Sequence, residues 1–206
     1  LLAQEEEKNF GIKFSGYVKN DFILDTRQTI SVREGHFLLY PADVRLDPDG
    51  KDINSRASFN YLSIQSRLTG TITGPDAFGA KTSGILEGAF FGATNSDING
   101  FRLRHAFMKL TWPSTEILFG QYWHMMFVTK CFPGTVSFNT GVPFQYFSRN
   151  PQIRITQKIG RFTLAGMVAT QRDFSSPGGP DAIRNALLPD LKGQITYTGD
   201  KVYAGL

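Results

Sequence analysis

The chain has 206 residues, 18 Phe, 7 Tyr and 2 Trp, and only 19% charged residues, so disorder is excluded: disordered chains lack aromatics and carry high charge. Cys131 is the single cysteine, which excludes a disulfide scaffold, and "FGATNSDINGF" and "DFILDT" interrupt every apolar run well short of the ~18 residues of a transmembrane helix. The net charge of +4 is spread along the chain without a basic patch, which argues against a nucleic-acid partner.

Taken in chain order, residues 1–10 open with Leu1-Leu2-Ala3-Gln4. This resembles the end of a signal-peptide apolar region and its cleavage site, without the charged segment that precedes one; an arbitrary start is the other reading. From there the pattern has period two, the mark of strands with unlike faces. In 11–25, Ile12, Phe14 and Val18 oppose Lys13, Ser15, Lys19 and Asp21. In 57–73, Leu62, Ile64, Leu68 and Ile72 oppose Ser63, Gln65, Arg67, Thr69, Thr71 and Thr73. Strand 80–92 carries "GILEGAFFG", with Leu86, Gly88 and Phe90 on one face and Glu87 on the other. Strands 101–112, 116–124, 151–159 and 162–172 follow. A helix is predicted over 181–188, with Asp181 as N-cap and Pro189 as stop. Strands 191–198 and 201–206 flank a Gly199-Asp200 turn. The last strand has no terminator, so the chain is expected to be the N-terminal part of something longer.

The connections between these nine strands alternate. Those at 26–56, 125–150 and 173–190 are long, 93–100 is intermediate, and 74–79, 113–115, 160–161 and 199–200 are short. Long loops at one end and tight turns at the other are the habit of an outer-membrane barrel. Alternating faces alone also suit a soluble β-sandwich that serves binding or adhesion. Three features favour the barrel. Several strands approach the ~10 residues that cross a bilayer at a tilt. The polar faces carry Lys, Arg and Glu, which a packed sandwich core does not tolerate unpaired. Aromatic residues at strand ends, Trp112, Tyr122, Trp123, Phe162 and Tyr203, fall where interfacial girdles belong. The fold class is therefore all-β, an antiparallel transmembrane β-barrel. Leu62, Ile64, Leu68, Ile153, Ile155 and Ile195 should face lipid, and Gln65, Arg67, Arg154, Lys158 and Gln194 the interior. Nine strands leave two unpaired edges, so residues 1–206 alone are not expected to close.

Several stretches resemble the DcaP-like trimeric porins of Gram-negative outer membranes. "GYVKNDFILDT" is similar to their first strand, and "RLRHAFMKL" with "ILFGQYWH" to the strand pair before the constriction loop. "PGTVSFNTGVPFQYFSRNPQIRIT" resembles that loop and the strand after it, "FSRNPQIR" being its most specific piece. The resemblance spans most of 11–206. It implies a barrel of about 16 strands, a homotrimer in the outer membrane, and passive diffusion of small, often anionic solutes. The chain supplies about half of those strands.

Within this frame Arg67, Arg102, Arg104, Arg149 and Arg154 are candidates to line a pore, where guanidinium groups concentrate anions and hold carboxylate or phosphate bidentately. The plainer reading makes them wall charges balanced by Glu87 or Asp21. Lys19, Asp21, Glu87 and Gln121 complete the pore-lining set, Lys19 and Asp21 being expected to pair with neighbours and Glu87 to serve as counter-charge. Segment 125–150 is the candidate constriction loop, a trimer-contact or extracellular loop being the other reading: it is too long for a bare connection, and rich in Phe127, Phe132, Phe138, Phe144, Tyr146 and Phe147, which folding into the lumen would bury. His124, Met125, Met126 and Cys131 have no metal-ligand spacing, and His36 and His105 are isolated along the chain. No cofactor is implied. No nucleophile and base are placed together, so an enzyme on a barrel scaffold is the weakest reading. The sequence thus points to a non-enzymatic outer-membrane porin for small hydrophilic, anionic solutes of carboxylate type.

Overall fold

The computed structural model describes residues 10–132, 147–171 and 178–206. Its strands are β1 (Gly11–Tyr17), β2 (Asp21–Asp25), β3 (Thr29–Val32), β4 (Phe37–Pro41), β5 (Ser58–Leu62), β6 (Arg67–Ala77), β7 (Ala80–Phe90), β8 (Phe101–Thr111), β9 (Thr115–Trp123), β10 (Arg149–Ile159), β11 (Phe162–Ala169), β12 (Asp190–Thr198) and β13 (Tyr203–Gly205), with one helix, α1 (Gly179–Asn185). Nine strands form one sheet in the order β1-β6-β7-β8-β9-β10-β11-β12-β13, and every pairing is antiparallel. Neighbours in the sheet from β6 onward are neighbours in sequence, so each is joined by a local connection. Tight turns lie at one end; the longer connections, carrying the β3–β4 hairpin and α1, lie at the other. The sheet is open: among the described residues β1 and β13 are its two edges and do not pair with each other.

One face of the sheet is apolar and uncovered. Ile12, Phe14, Leu86, Met108, Ile153 and Ile195 are all exposed there, and Leu68 and Ile155 are 50% and 52% exposed. Arg67 and Arg154, one residue away from Leu68 and Ile155, turn to the other face, which is polar and on which the described ends of the 124–148 connection lie. A sandwich would cover the apolar face with a second sheet; among the described residues nothing does. Among the described residues no helix is long and apolar enough to cross a membrane.

The predicted strands 11–25 and 57–73 are not continuous. Each is broken, into β1 and β2 and into β5 and β6, and the halves pair in order, β1 with β6 and β2 with β5. Gln65 adopts a left-handed φ of 65° at the break. Its N–H donates to the Phe90 carbonyl (2.9 Å), Phe90 N–H donates to Ser66 O (3.0 Å), and Lys19 N–H donates to Ser66 Oγ (3.0 Å). The ladder is thus handed to the end of β7, and the alternation is reset. Ile64, expected to face lipid, is 4% exposed, and Leu62 lies half-buried while Phe59 and Tyr61 face outward. Lys19 stands in the break, not on a strand face.

The β3–β4 hairpin inside 26–56 has no period-two signal in the sequence, because its strands are only 4 and 5 residues long. It is pinned to the sheet by Arg33, whose Nη1 donates to Gly92 O (2.9 Å), and by Phe37 edge-on to Phe91 at 5.4 Å. Helix α1 is shorter than predicted: Asp181 sits in its first turn, paired with Arg184, and Gly178 takes the N-cap. Leu187 and Leu188 lie beyond it and are exposed. Gly120 is required where it stands. Its φ is +124°, and a Cβ there would meet Ala106 O at 2.2 Å.

Candidate functional site

The polar face holds a cavity of about 610 Å³ that draws on β1, β6, β7, β8 and β9 and on both described ends of the 124–148 connection. Its charged centre is built by a register shift. Glu87 pairs with His105 and Gly88 with Leu103, which leaves Arg104 as an extra residue in β8. A bulge of this kind turns two consecutive side chains toward one face. Arg104 and His105 therefore both reach the cavity that strict alternation would have split between two faces.

Glu87 is the hub of the cluster. Arg104 Nε donates to its Oε1 at 2.8 Å, and Thr69 Oγ1 donates to its Oε2 at 3.1 Å. Arg67 Nη1 lies 3.7 Å from Oε1, too long for a hydrogen bond, and His105 Nε2 lies at 3.9 Å. The two arginines are held differently. Arg104 is nearly buried, its guanidinium 5.8 Å from the Trp123 ring, while the Arg67 side chain keeps 24% of its surface open. With imidazole neutral, two guanidinium groups face one carboxylate. A cavity with low-dielectric walls focuses that positive excess.

The rest of the wall is aromatic. His105 lies against Tyr122 and Trp123 at ring separations of 5.3 and 5.2 Å, and Trp123 continues to Phe127 (4.4 Å) and Phe147 (5.0 Å). Tyr122 and Trp123, expected in an interfacial girdle, instead line the cavity. Their place at the end of β9 is the same; the left-handed Gly120 and the loop packed over them account for the difference. Trp112 and Phe162 lie at the tight-turn end, where Trp112 Nε1 donates to Phe78 O (3.0 Å) and the Phe162 ring lies tilted against Tyr197.

The other predicted residues are dispersed. Arg102 lies 6.0 Å from the Phe91 ring, away from the cavity. Arg149 is 1% exposed, its guanidinium 5.1 Å from Trp123 and 5.7 Å from Phe147, and backs the aromatic wall without lining it. Arg154 lines a second, smaller cavity of about 110 Å³, together with Lys130 and Gln194. Lys19 and Asp21 pair with each other at the strand break. Gln121 does not reach the cavity: its amide nitrogen donates to Arg104 O (3.1 Å) at the bulge, on the face of Ala106. In the predicted constriction segment, Phe127 and Phe147 are buried in the wall and Phe132 borders the cavity; Phe138, Phe144 and Tyr146 lie outside the described residues. His105 and Lys130 were missed as site residues. The one signal for His105 was its place beside two arginines spaced by two, which says nothing until the bulge is known.

His124 ties the base of the loop. Met126 N–H donates to its Nδ1 (3.2 Å) and its Nε2 lies 3.2 Å from Asp190 Oδ2, so the neutral ring carries its proton on Nε2. Burial holds its pKa below the ordinary imidazole value, against the pull of Asp190; Lys192 and Arg154 add to the lowering. The stabilisation is thus fully present above the unfolded value of about 6.5 and is lost as pH falls below it, because Nδ1 protonation removes the Met126 bond. Limited proteolysis at Lys130 should accelerate as pH falls below about 6.5, and His124→Gln should flatten that dependence. An unchanged pH profile in the variant would exclude the tether.

No family model and no curated protein matches the chain. Among solved structures it is similar to the outer membrane channel DcaP of Acinetobacter baumannii, at 19% identity and a TM-score of 0.64. That alignment covers 100% of this chain and 54% of the channel, so the chain spans about half its length. A loop L8 deletion mutant of OmpT, an outer membrane protein of Vibrio cholerae, aligns at 10% identity and a TM-score of 0.39, over 96% of this chain and 68% of that one. The first likeness shows the fold: the sheet is an antiparallel β-barrel wall of outer-membrane type, open within the described residues.

Proposed function

We propose that the protein is an outer-membrane channel through which small hydrophilic anions, of carboxylate type, diffuse passively, and that it works as a homotrimer of such barrels. The observation that carries this is the pairing of the two faces. The uncovered apolar face suits lipid, and the opposite face carries a cavity of about 610 Å³ in which Arg67 and Arg104 outnumber Glu87. A wall of this kind filters; it performs no covalent chemistry. An oxyanion entering the cavity finds Arg104 already held by Glu87 and Arg67 loosely placed, so Arg67 is the group that makes and breaks contact. Weak, exchangeable contact is what conduction needs, because a solute held tightly does not leave.

The test is a reversal potential across a salt gradient, on the complete protein in planar bilayers. The native channel should prefer anions. Arg67→Gln should lower the anion-to-cation permeability ratio by roughly twofold or more, and Glu87→Gln should raise it, since each alters one charge in a focused field. Cation preference in the native channel, or the same ratio in all three proteins, sinks the reading.

A further inference from the structure

The smaller cavity is the feature that the single-site picture leaves unused. It shares Tyr122, Trp123, Phe127 and Thr129 with the larger one, so the two adjoin along this largely aromatic stretch. Its own charged lining is Lys130 and Arg154, and among the described residues no carboxylate lines it. Both cations are held in place. Arg154 donates from Nε to Gln152 Oε1 (3.0 Å) and from Nη2 to the Trp123 carbonyl, with its guanidinium 5.4 Å from the Tyr122 ring. Lys130 reaches from the loop to lie 4.5 Å over the ring of Tyr203 on β13. Glu116, the acid whose charge Arg154 senses along the sheet, is engaged by Lys109 at 2.9 Å. Gln194 is fixed by donating to Met125 O (3.2 Å), which closes the floor beneath the loop.

Size separates the two cavities. At about 110 Å³ the smaller one holds the space of three or four waters, which matches one compact oxyanion. We propose that Arg154 and Lys130 form a second oxyanion station, selective for a single phosphate-sized or carboxylate group and adjoining the Arg67–Arg104 cavity at Trp123 and Phe127. This rests on the anion-channel reading. The group it takes is either a free small oxyanion or the anionic end of a longer solute whose body remains in the larger cavity. Two weak stations in succession allow one bound anion to displace another, which favours flux over retention.

The experiment uses the complete protein in planar bilayers carrying chloride current, with two blockers: inorganic phosphate, which matches the small cavity in size, and naphthalene disulfonate, which is far bulkier. The expected result is that Lys130→Gln, and more strongly Lys130→Gln with Arg154→Gln, raise the phosphate concentration for half-block by about tenfold, the scale of losing one charge-assisted hydrogen bond. Block by naphthalene disulfonate should instead depend on Arg67 and be unchanged by Lys130→Gln. A disulfonate that also loses potency in Lys130→Gln would show that the small cavity takes only the end of a larger solute, which keeps the station and assigns its source. Lys130 is exposed and in the loop, so its variant folds even if the Arg154 variant does not; heat-modifiable migration checks each. Undiminished phosphate block in Lys130→Gln overturns the second station. Absence of block by either anion in the native channel overturns the anion-channel reading itself, and the two failures are therefore distinct.

Discussion

Arg104→Leu is expected to destabilise the protein by about 3 kcal/mol, the low end of the cost of stripping one partner from a buried ion pair. Arg104 and Glu87 expose only 7% and 12% of their side chains, and their bond is 2.8 Å long. Removing the guanidinium leaves the Glu87 carboxylate with Thr69 Oγ1 and a distant Arg67 at 3.7 Å. Arg67 offsets part of the loss, which is why the low end applies. The double variant Arg104→Leu, Glu87→Leu should recover most of the stability, because apolar replacement of both partners leaves no uncompensated charge. Urea unfolding of the complete protein in lipid vesicles, read as a double-mutant cycle, measures this. If the single variant costs no more than a surface substitution, Glu87 is not the hub described above.

A charge placed on the apolar face should cost about as much, by a different mechanism. Ile155→Arg is expected to destabilise by ~2–4 kcal/mol if the face meets the bilayer near its midplane. Ile155 lies in the middle of β10 and is half exposed, with nothing over it among the described residues. Thr156→Arg, one residue on, puts the same group on the polar face opposite Glu116 and should cost little. The comparison controls for strand propensity and for the charge itself. Equal costs at 155 and 156, measured in the same vesicles, would mean that the apolar face is not in lipid.

The period-two pattern determined the sheet by itself. Residues such as Leu68 and Ile155 against Arg67 and Arg154 assigned both faces, because successive side chains of a strand point to opposite sides whatever surrounds them. The alternation of long and short connections likewise placed tight turns at one end. Glu87 as the counter-charge to arginine was legible for the same reason: it lies opposite Leu86 and Phe90 in a strand that never loses its alternation. What the pattern could not determine is every point at which the period slips. Ile64 turned inward because Gln65 adopts a left-handed conformation to pair with Phe90, a residue 25 positions away in the neighbouring strand's turn-distal end. His105 entered the cavity because β8 carries one residue more than β7 at the Glu87–Gly88 step. Arg149 left the pore-lining set because Trp123 and Phe147 close over it. A register shift costs no change in local composition, so it leaves no trace in a single sequence. It is decided by which backbone groups across the sheet find partners, and only the tertiary structure shows that the cavity is centred on such a shift.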